Sequence, residues 1–526
     1  MSNDARTVAG WLRRRADDNP AADMVSTGNG WLTVGEVRSR STSLAAGLYR
    51  AGLRPGDRIA SIMTNRPESV LLFFACAELG VVQVPVNVFL KGEFLRYQLA
   101  DAEPSMIVAD AAGVTALAAL DAPEVAGARL VALDPESDAP LRITDLYDEP
   151  RTGLWPDPEP TTLTLVMYTS GTTGAPKGCM IDSGYLVHMP LAHAMNDWFR
   201  PDDTSYCPLP LYHGFAISAL MDSLVVGSRV CFDPEFRASL TFDRIRELGA
   251  TQMFGVGAMP AALMATPERP DDTEHTLDRA IYIPTAPALQ QKFAERFGCT
   301  VYCEGYGQTE VLPATMGRTT GARDKPSAGK ALPWLDVRAV DDDDNVLPAG
   351  QPGEIVVRPL EPHAIFSGYW RKPEATLDAW RNLWHHTGDM GYFDDEGTLY
   401  FVDRKKDALR RRGENVSSVE LEQAIGKHPD IAAVAVHAVP SELAEDDIKA
   451  CLVLAAGADV EPGSLFEFFK ANLPYFAIPR YVEVIDALPV NAVGRVLKHQ
   501  LRAGWDTPGT IDLEALGHVV ARSDRR

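Results

Sequence analysis

The chain has 526 residues, with 50 Lys plus Arg against 72 Asp plus Glu and a formal charge of −22. That acidic balance excludes the broad basic surface needed for sequence-independent nucleic-acid binding or for docking on an anionic membrane. Hydrophobic residues make up 46% and charged residues 23%, so sizeable cores can be buried, and the length points to roughly three to four structural units.

Reading along the chain, helical periodicity over 34–53 leads into a strand at 58–63, a helix at 67–79 and a strand at 81–86. The alternation returns with strands at 105–109, 228–232 and 251–255, which predicts parallel sheets with crossover helices. Residues 70–79 are the most apolar run; they include Glu78 and are half the length a bilayer span requires, about 20 residues. After Pro326 the pattern changes to strands at 335–340, 353–358 and 397–403, joined by turns such as 341–345. A helix at 416–425, strands at 431–440 and 449–455, and a helix at 462–473 follow. The expected fold is α/β. A large N-terminal domain, 1–402, holds two mixed or parallel α/β subdomains and a β-rich subdomain from about residue 327. A small mobile α+β domain, 403–526, follows. Its 16 basic and 19 acidic residues nearly cancel, whereas the first 402 residues carry 34 against 53. Seven scattered Cys without a Cys-x-x-Cys pair, and an N-terminus without an apolar leader, predict a cytoplasmic protein with reduced thiols.

The densest chemistry lies at 165–178, Leu-Val-Met-Tyr-Thr-Ser-Gly-Thr-Thr-Gly-Ala-Pro-Lys-Gly. An apolar strand ends in glycines that let backbone N–H groups approach an anion, hydroxyls that donate to its oxygens, and a lysine that supplies a point charge. This is phosphate-loop chemistry, but the spacing is not that of a Walker A loop.

Residues 168–178 resemble the signature of the adenylate-forming superfamily, which includes acyl- and aryl-CoA ligases, luciferases and the adenylation domains of peptide synthetases. Leu-Pro-Leu-Tyr-His-Gly-Phe at 209–215, Tyr-Gly-Gln-Thr-Glu at 306–310, Phe-Ser-Gly-Tyr-Trp at 366–370, His-Thr-Gly-Asp at 386–389, Val-Asp-Arg-Lys-Lys at 402–406 and Arg-Gly-Glu-Asn-Val at 412–416 extend it in the same order. The look is closest to acyl-CoA ligases.

The resemblance implies that Thr169, Ser170, Gly171, Thr172, Thr173, Gly174 and Lys177 hold the ATP phosphates. It implies that Tyr306, with Gly307 and Gln308, packs on adenine, that Thr309 meets the α-phosphate and that Glu310 holds Mg²⁺, a hard cation that favours oxygen ligands. Asp389 is assigned to the ribose, and Arg404 to ribose and phosphates. His213 borders the acid pocket and the thiol channel, and Phe215, Ala219, Gly307 and Ala314 line the pocket for a planar or medium-sized acid, aryl acids included. The chain would hinge near 403–406, at Lys406, and swing a loop around Gly413 to the site for the second step. Six of the nine residues at 404–412 are basic, which fits a strip facing ATP or the phosphates of coenzyme A.

Two departures stand out. Where the family carries a lysine after a glycine near the C-terminus, this chain has Arg495, with Lys498 three residues on. The lysine neutralises charge on the phosphoryl centre, and arginine differs in shape and hydration; either Arg495 or Lys498 takes that task. Pro284 and Thr285 also stand where relatives carry glycine or alanine. The expected reaction is adenylation of a carboxylic acid followed by transfer to CoA, by a monomer or homodimer. The alternatives are another acceptor (a carrier-protein thiol, an amine, or nitrite activation for diazotisation of an aryl amine) or a nucleotide-binding protein without turnover.

Overall fold

The computed structural model describes residues 6–521 apart from 29, 121–126, 135–139, 152, 170–174, 257, 284, 286, 319–326, 405–407, 413, 442–444, 490–495 and 497. Two seven-stranded sheets form the bulk of the molecule. In the first, strands Arg58–Ile62, Val82–Pro85, Met106–Ala109, Arg129–Ala132 and Leu141–Arg142 run parallel, and Leu163–Thr169 joins them in parallel beside Val82–Pro85. Lys177–Asp182 closes that edge as an antiparallel strand. The second sheet is parallel across Thr300–Tyr302, Arg279–Ile283, Gln252–Val256, Thr204–Tyr206, Arg229–Cys231 and Asp23–Ser26, with Trp31–Thr33 antiparallel at its edge.

Local signals account for the crossover helices. Helix Val34–Arg50 opens with a capping box in which Thr33 and Glu36 exchange side chain–backbone hydrogen bonds, satisfying two donors that a helix start leaves unpaired. It stops three residues short of the expected end, where Gly52 takes a left-handed φ of +95°. Helix Pro67–Leu79 begins on its proline, which has no N–H to leave unpaired. It is buried all round from Ser69 to Leu79, as expected of a helix sandwiched inside an α/β body.

The β-rich region is built on a four-stranded antiparallel sheet, Leu335–Val340, Gly353–Pro359, His385–Phe393 and Leu399–Arg404. His385–Phe393 was not expected as a strand: its His-Thr-Gly-Asp reads locally as a turn, yet Asp389 lies inside a ladder opposite Arg404. The sequence also places a helix start at 416. Instead Glu414–Ser417 pairs with Ala408–Arg411, Leu409 opposite Val416, and the helix is Ser418–Ile425.

The last sheet comprises Ile431–Pro440, Asp446–Leu454, Tyr481–Val484 and Ile511–Asp512. It packs with helices Ser418–Ile425, Pro462–Asn472 and Lys498–Ala503. This C-terminal unit touches the larger body at Phe89 and Tyr475, whose rings meet edge-on at 4.7 Å, and at Lys427 and Glu93, 3.4 Å apart. All seven cysteines are buried and free. Among the described residues no helix is long and apolar enough to cross a membrane.

Candidate active site

The phosphate hairpin carries its two ends in register, Thr169 opposite Lys177. Ser170, Gly171, Thr172, Thr173 and Gly174 lie outside the described residues, so the hairpin is defined by its flanks. Asp101 anchors it: its carboxylate accepts from the Tyr168 hydroxyl and from Lys372 Nζ, both at 2.7 Å, and its carbonyl accepts from Trp370 Nε1 at 3.1 Å. Burial, then Asp101, pushes the Tyr168 hydroxyl well above the ordinary tyrosine range, so it stays a hydrogen-bond donor. Tyr97 donates to the Pro176 carbonyl at 3.1 Å and steadies the far side of the loop.

The segment Phe366–Trp370 runs against the hairpin. Trp370 N–H donates to the Gly178 carbonyl at 2.7 Å, and Met180 N–H to the Gly368 carbonyl at 2.9 Å. This places Tyr369 over the site. Its ring takes the Lys177 ammonium 4.8 Å from the centroid, and its hydroxyl donates to Glu310 Oε1 at 2.8 Å. Lys177 and Glu310 are thus brought together across one ring, a cation–π contact on the face and a hydrogen bond at the rim.

Glu310 is 8% exposed and sits at the turn between strands Gly305–Gln308 and Val311–Met316. Tyr185 fixes that turn from below: its hydroxyl donates to the Thr309 carbonyl at 3.1 Å and accepts from Leu312 N–H at 2.6 Å. Gly307 is required there, because a Cβ would lie 2.8 Å from the Val311 carbonyl oxygen and 3.2 Å from Pro313 Cα. One strand position away, the Tyr306 hydroxyl donates to Asp389 Oδ2 at 2.8 Å and Gln308 Nε2 donates to the same oxygen at 2.7 Å. Phe401 stacks on Tyr306 at 6.3 Å. Tyr306, Gln308 and Asp389, expected around the nucleoside, therefore form one bonded group.

The residues expected to line the acid pocket gather on the other flank. Asn65 clamps the motif at 209–215, donating to the Leu209 carbonyl at 2.8 Å and accepting from Leu211 N–H at 2.9 Å. His213 caps helix Gly214–Val225, its Nδ1 accepting from Phe215 N–H at 3.3 Å. Phe215 lies near parallel to Phe254, 5.1 Å between centroids. Ala219 and Ala314 are fully buried, and the Leu312 side chain reaches to within 3.4 Å of a Cβ built on Gly214, which joins this flank to the Glu310 turn. Thr285 bonds back to the Tyr282 carbonyl at 2.8 Å; Pro284 lies outside the described residues.

Other expected residues stand apart. Lys498 Nζ is 2.6 Å from Glu422 and 2.8 Å from Ser418 Oγ, an arrangement wholly within the C-terminal unit. Arg404 has its backbone opposite Asp389. Lys406, Gly413 and Arg495 lie outside the described residues. Sequence reasoning assigned no role to Tyr369, Tyr185, Asp101 or Phe254. Tyr369 sits inside the Phe-Ser-Gly-Tyr-Trp motif at 366–370; the others are ordinary residues until the sheets bring them to the site.

Among the described residues no cluster of three or more His, Cys, Asp or Glu side chains forms a metal cage. A single carboxylate, Glu310, fits Mg²⁺ of the kind held mainly by substrate phosphates.

Comparison with known proteins shows the family. The family model described as AMP-binding enzyme matches residues 12–370, and that of the AMP-binding enzyme C-terminal domain matches 420–495. Feruloyl-CoA synthase of an Amycolatopsis species is 32% identical over 505 residues, covering 94% of this chain and 98% of that protein. Crotonobetaine/carnitine–CoA ligase of Salmonella agona is 30% identical over 482 residues, covering 90% and 92%. Among solved structures, o-succinylbenzoate CoA synthetase of Bacillus subtilis with a product analogue overlays with a TM-score of 0.81 at 26% identity, covering 94% of this chain and 98% of that one. The chain is a member of the AMP-binding enzyme family, an ATP-dependent ligase that works through an adenylate.

Proposed function

We propose that the protein joins an aryl carboxylic acid to coenzyme A with cleavage of ATP to AMP and pyrophosphate. The observation that carries the reading is the meeting of Lys177 and Glu310 on Tyr369, with the half-buried Phe215 stacked on Phe254 behind the motif at 209–215. A partly exposed flat ring such as Phe215 favours a flat substrate, since offset stacking adds to area burial. The two relatives above name CoA as acceptor, which favours CoA over a carrier thiol, an amine or nitrite.

In the first step the acid carboxylate attacks the α-phosphorus and pyrophosphate leaves. Lys177 and the hairpin donors hold the departing phosphates, Asp389 holds the ribose and Tyr306 packs on adenine. Glu310 would hold Mg²⁺, which when bound would supply charge neutralisation on the phosphates. Lys498 is engaged by Glu422 and Ser418, which favours Arg495 as the cation that meets the acid carboxylate and α-phosphate. In the second step the CoA thiol attacks the adenylate carbonyl and AMP leaves. Residues 1–402 act as the nucleotide-binding body and 403–526 as a mobile domain hinged at 403–406, swinging Gly413 into place, because one pocket must host two electrostatically different reactions. The enzyme works in the cytoplasm as a monomer or homodimer.

Acid-dependent exchange of labelled pyrophosphate into ATP tests the first step, and mass detection of aryl-CoA with stoichiometric AMP tests the second. Exchange without any acyl-CoA product would remove CoA as the acceptor.

A further inference from the structure

Tyr369 and Glu310 belong to two separate chain segments, and one carboxylate holds both. Asp182 is buried and caps helix Ser183–Met195, its Oδ1 accepting from Tyr185 N–H at 2.8 Å. Its other oxygen, Oδ2, lies 2.8 Å from His363 Nδ1 and 3.1 Å from Ser367 Oγ. A carboxylate oxygen only accepts, so both side chains donate to it. From Asp182 one arm runs through the Tyr185 hydroxyl to the backbone of Thr309 and Leu312, on either side of Glu310. The other arm runs through His363 and Ser367 to Tyr369. The two arms meet where the Tyr369 hydroxyl donates to Glu310 Oε1 and Phe366 N–H donates to the Glu310 carbonyl at 2.8 Å. The contacts form a closed ring.

The second arm carries backbone strain. His363, at φ +64°, and Arg371, at φ +53°, bracket the segment that bears Tyr369. Both are non-glycine residues in the left-handed region, which costs free energy and persists only where surrounding contacts enforce it. At Arg371 the contact is an ion pair with Glu103, beside Lys372 on Asp101 at 2.7 Å. At His363 it is Asp182 together with the first turn of helix Ser183–Met195. A Cβ built on Gly184 would lie 2.5 Å from His363 Cγ, so the imidazole rests directly on that glycine. Strain enforced in this way clusters where a functional group has to be aimed, and the group this segment aims is Tyr369.

We infer that His363, held by Asp182, is a positioning residue: it sets the segment 363–371 so that the Tyr369 hydroxyl meets Glu310 and the ring meets Lys177. It acts through Tyr369 and not on the nucleotide itself. The inference rests on the reading of Glu310 as the carboxylate for Mg²⁺ and adds the residue that orients it. Groups that orient a metal-binding carboxylate change metal affinity when they are lost, so the part of ATP binding that depends on Mg²⁺ is the part that His363 controls.

The test is calorimetric binding of ATP to the full chain, without acid substrate, in Mg²⁺ and in EDTA. In the wild type Mg²⁺ should tighten ATP by about tenfold or more. His363→Gly removes the imidazole and relieves the left-handed backbone; it should cut that gain to about threefold or less, with a smaller effect in EDTA. His363→Asn tolerates the left-handed backbone and offers an amide donor to Asp182. It should restore the gain, which a residue that only fills space would not do. On a Tyr369→Phe background His363→Gly should change the gain by no more than about twofold, because the hydrogen bond it works through has already gone. Ser367→Ala keeps the imidazole and removes the second donor to Asp182. It should lower the gain in the same direction, and it stands in if His363→Gly does not fold. A wild-type gain in His363→Gly, or in Ser367→Ala where that variant stands in, overturns the inference and leaves the Glu310 reading in place. So does full additivity with Tyr369→Phe, or a loss in His363→Asn equal to that in His363→Gly. No tightening of ATP by Mg²⁺ in the wild type overturns both.

Discussion

The Tyr369 hydroxyl donates to Glu310 Oε1 at 2.8 Å, across 59 residues of sequence. Its ring meanwhile carries the Lys177 ammonium, so one side chain positions both the cation proposed to face the phosphates and the carboxylate proposed to hold Mg²⁺. Tyr369→Phe keeps the ring and removes the hydroxyl. We expect about a tenfold fall in exchange rate, the equivalent of one charge-assisted hydrogen bond. The KM for the acid should hold while the Mg²⁺ concentration needed for half-maximal rate rises. A Mg²⁺ titration of exchange checks this; an unchanged Mg²⁺ requirement would leave Tyr369 as packing only.

Asp389 gathers the Tyr306 hydroxyl and the Gln308 amide on one oxygen. Asp389→Ala removes the acceptor that the two donors share, Gln308 keeping its bond to the Thr387 carbonyl at 2.9 Å, and removes the proposed ribose contact. The KM for ATP should rise by tenfold or more, about 1.4 kcal/mol or greater. The wild type should discriminate against 2′- or 3′-deoxy-ATP and the variant should not. Steady-state kinetics with the three nucleotides decides it.

Arg495 and Lys498 separate cleanly. Lys498 pairs with Glu422 and Ser418. Lys498→Ala should therefore lower the stability of the C-terminal unit by about 1–2 kcal/mol in urea. Adenylation should persist. Arg495→Ala should cut exchange by about a hundredfold or more with little change in the urea midpoint. The opposite pattern would hand the catalytic role to Lys498.

His385 is 1% exposed and neither ring nitrogen has a partner. Burial drives its pKa down to about 3, below the ordinary value of about 6.5. The folded state therefore resists protonating it while the unfolded chain accepts the proton. Full stability is present above about pH 6.5 and is lost as pH falls toward 3, with a cost near 2 kcal/mol at about pH 5. His385→Phe should flatten this acid limb in chemical denaturation at pH 5 to 7.5. An unchanged slope would show that His385 does not set it.

Local chemistry made much of this protein legible. The hairpin at 163–182 reads as an apolar strand, a run of glycines and hydroxyls and one lysine, because a phosphate loop is built from neighbours in sequence. The alternation that builds the two large sheets reads equally well. The strand His385–Phe393 did not, since Gly388, at φ +72°, and Asp389 look like a turn to any local measure. Only pairing on both sides, with Gly353–Pro359 and Leu399–Arg404, holds that stretch extended. The start of helix Ser418–Ile425 was misplaced for the same reason, because Val416 is claimed by Leu409 across a hairpin.

By itself, the sequence determined which chemical groups are available and in what order: the loop, the carboxylates Glu310 and Asp389, the aromatic at 306, and an arginine at 495 where the family has lysine. The tertiary structure decided their company. It set Tyr369 between Lys177 and Glu310, tied Lys498 to Glu422, and buried Asp222 against His193. These contacts join residues tens to hundreds of positions apart. Their geometry depends on sheet register and helix packing, which no local propensity encodes, because a hydrogen bond forms only where two independently folded elements bring donor and acceptor within about 3 Å.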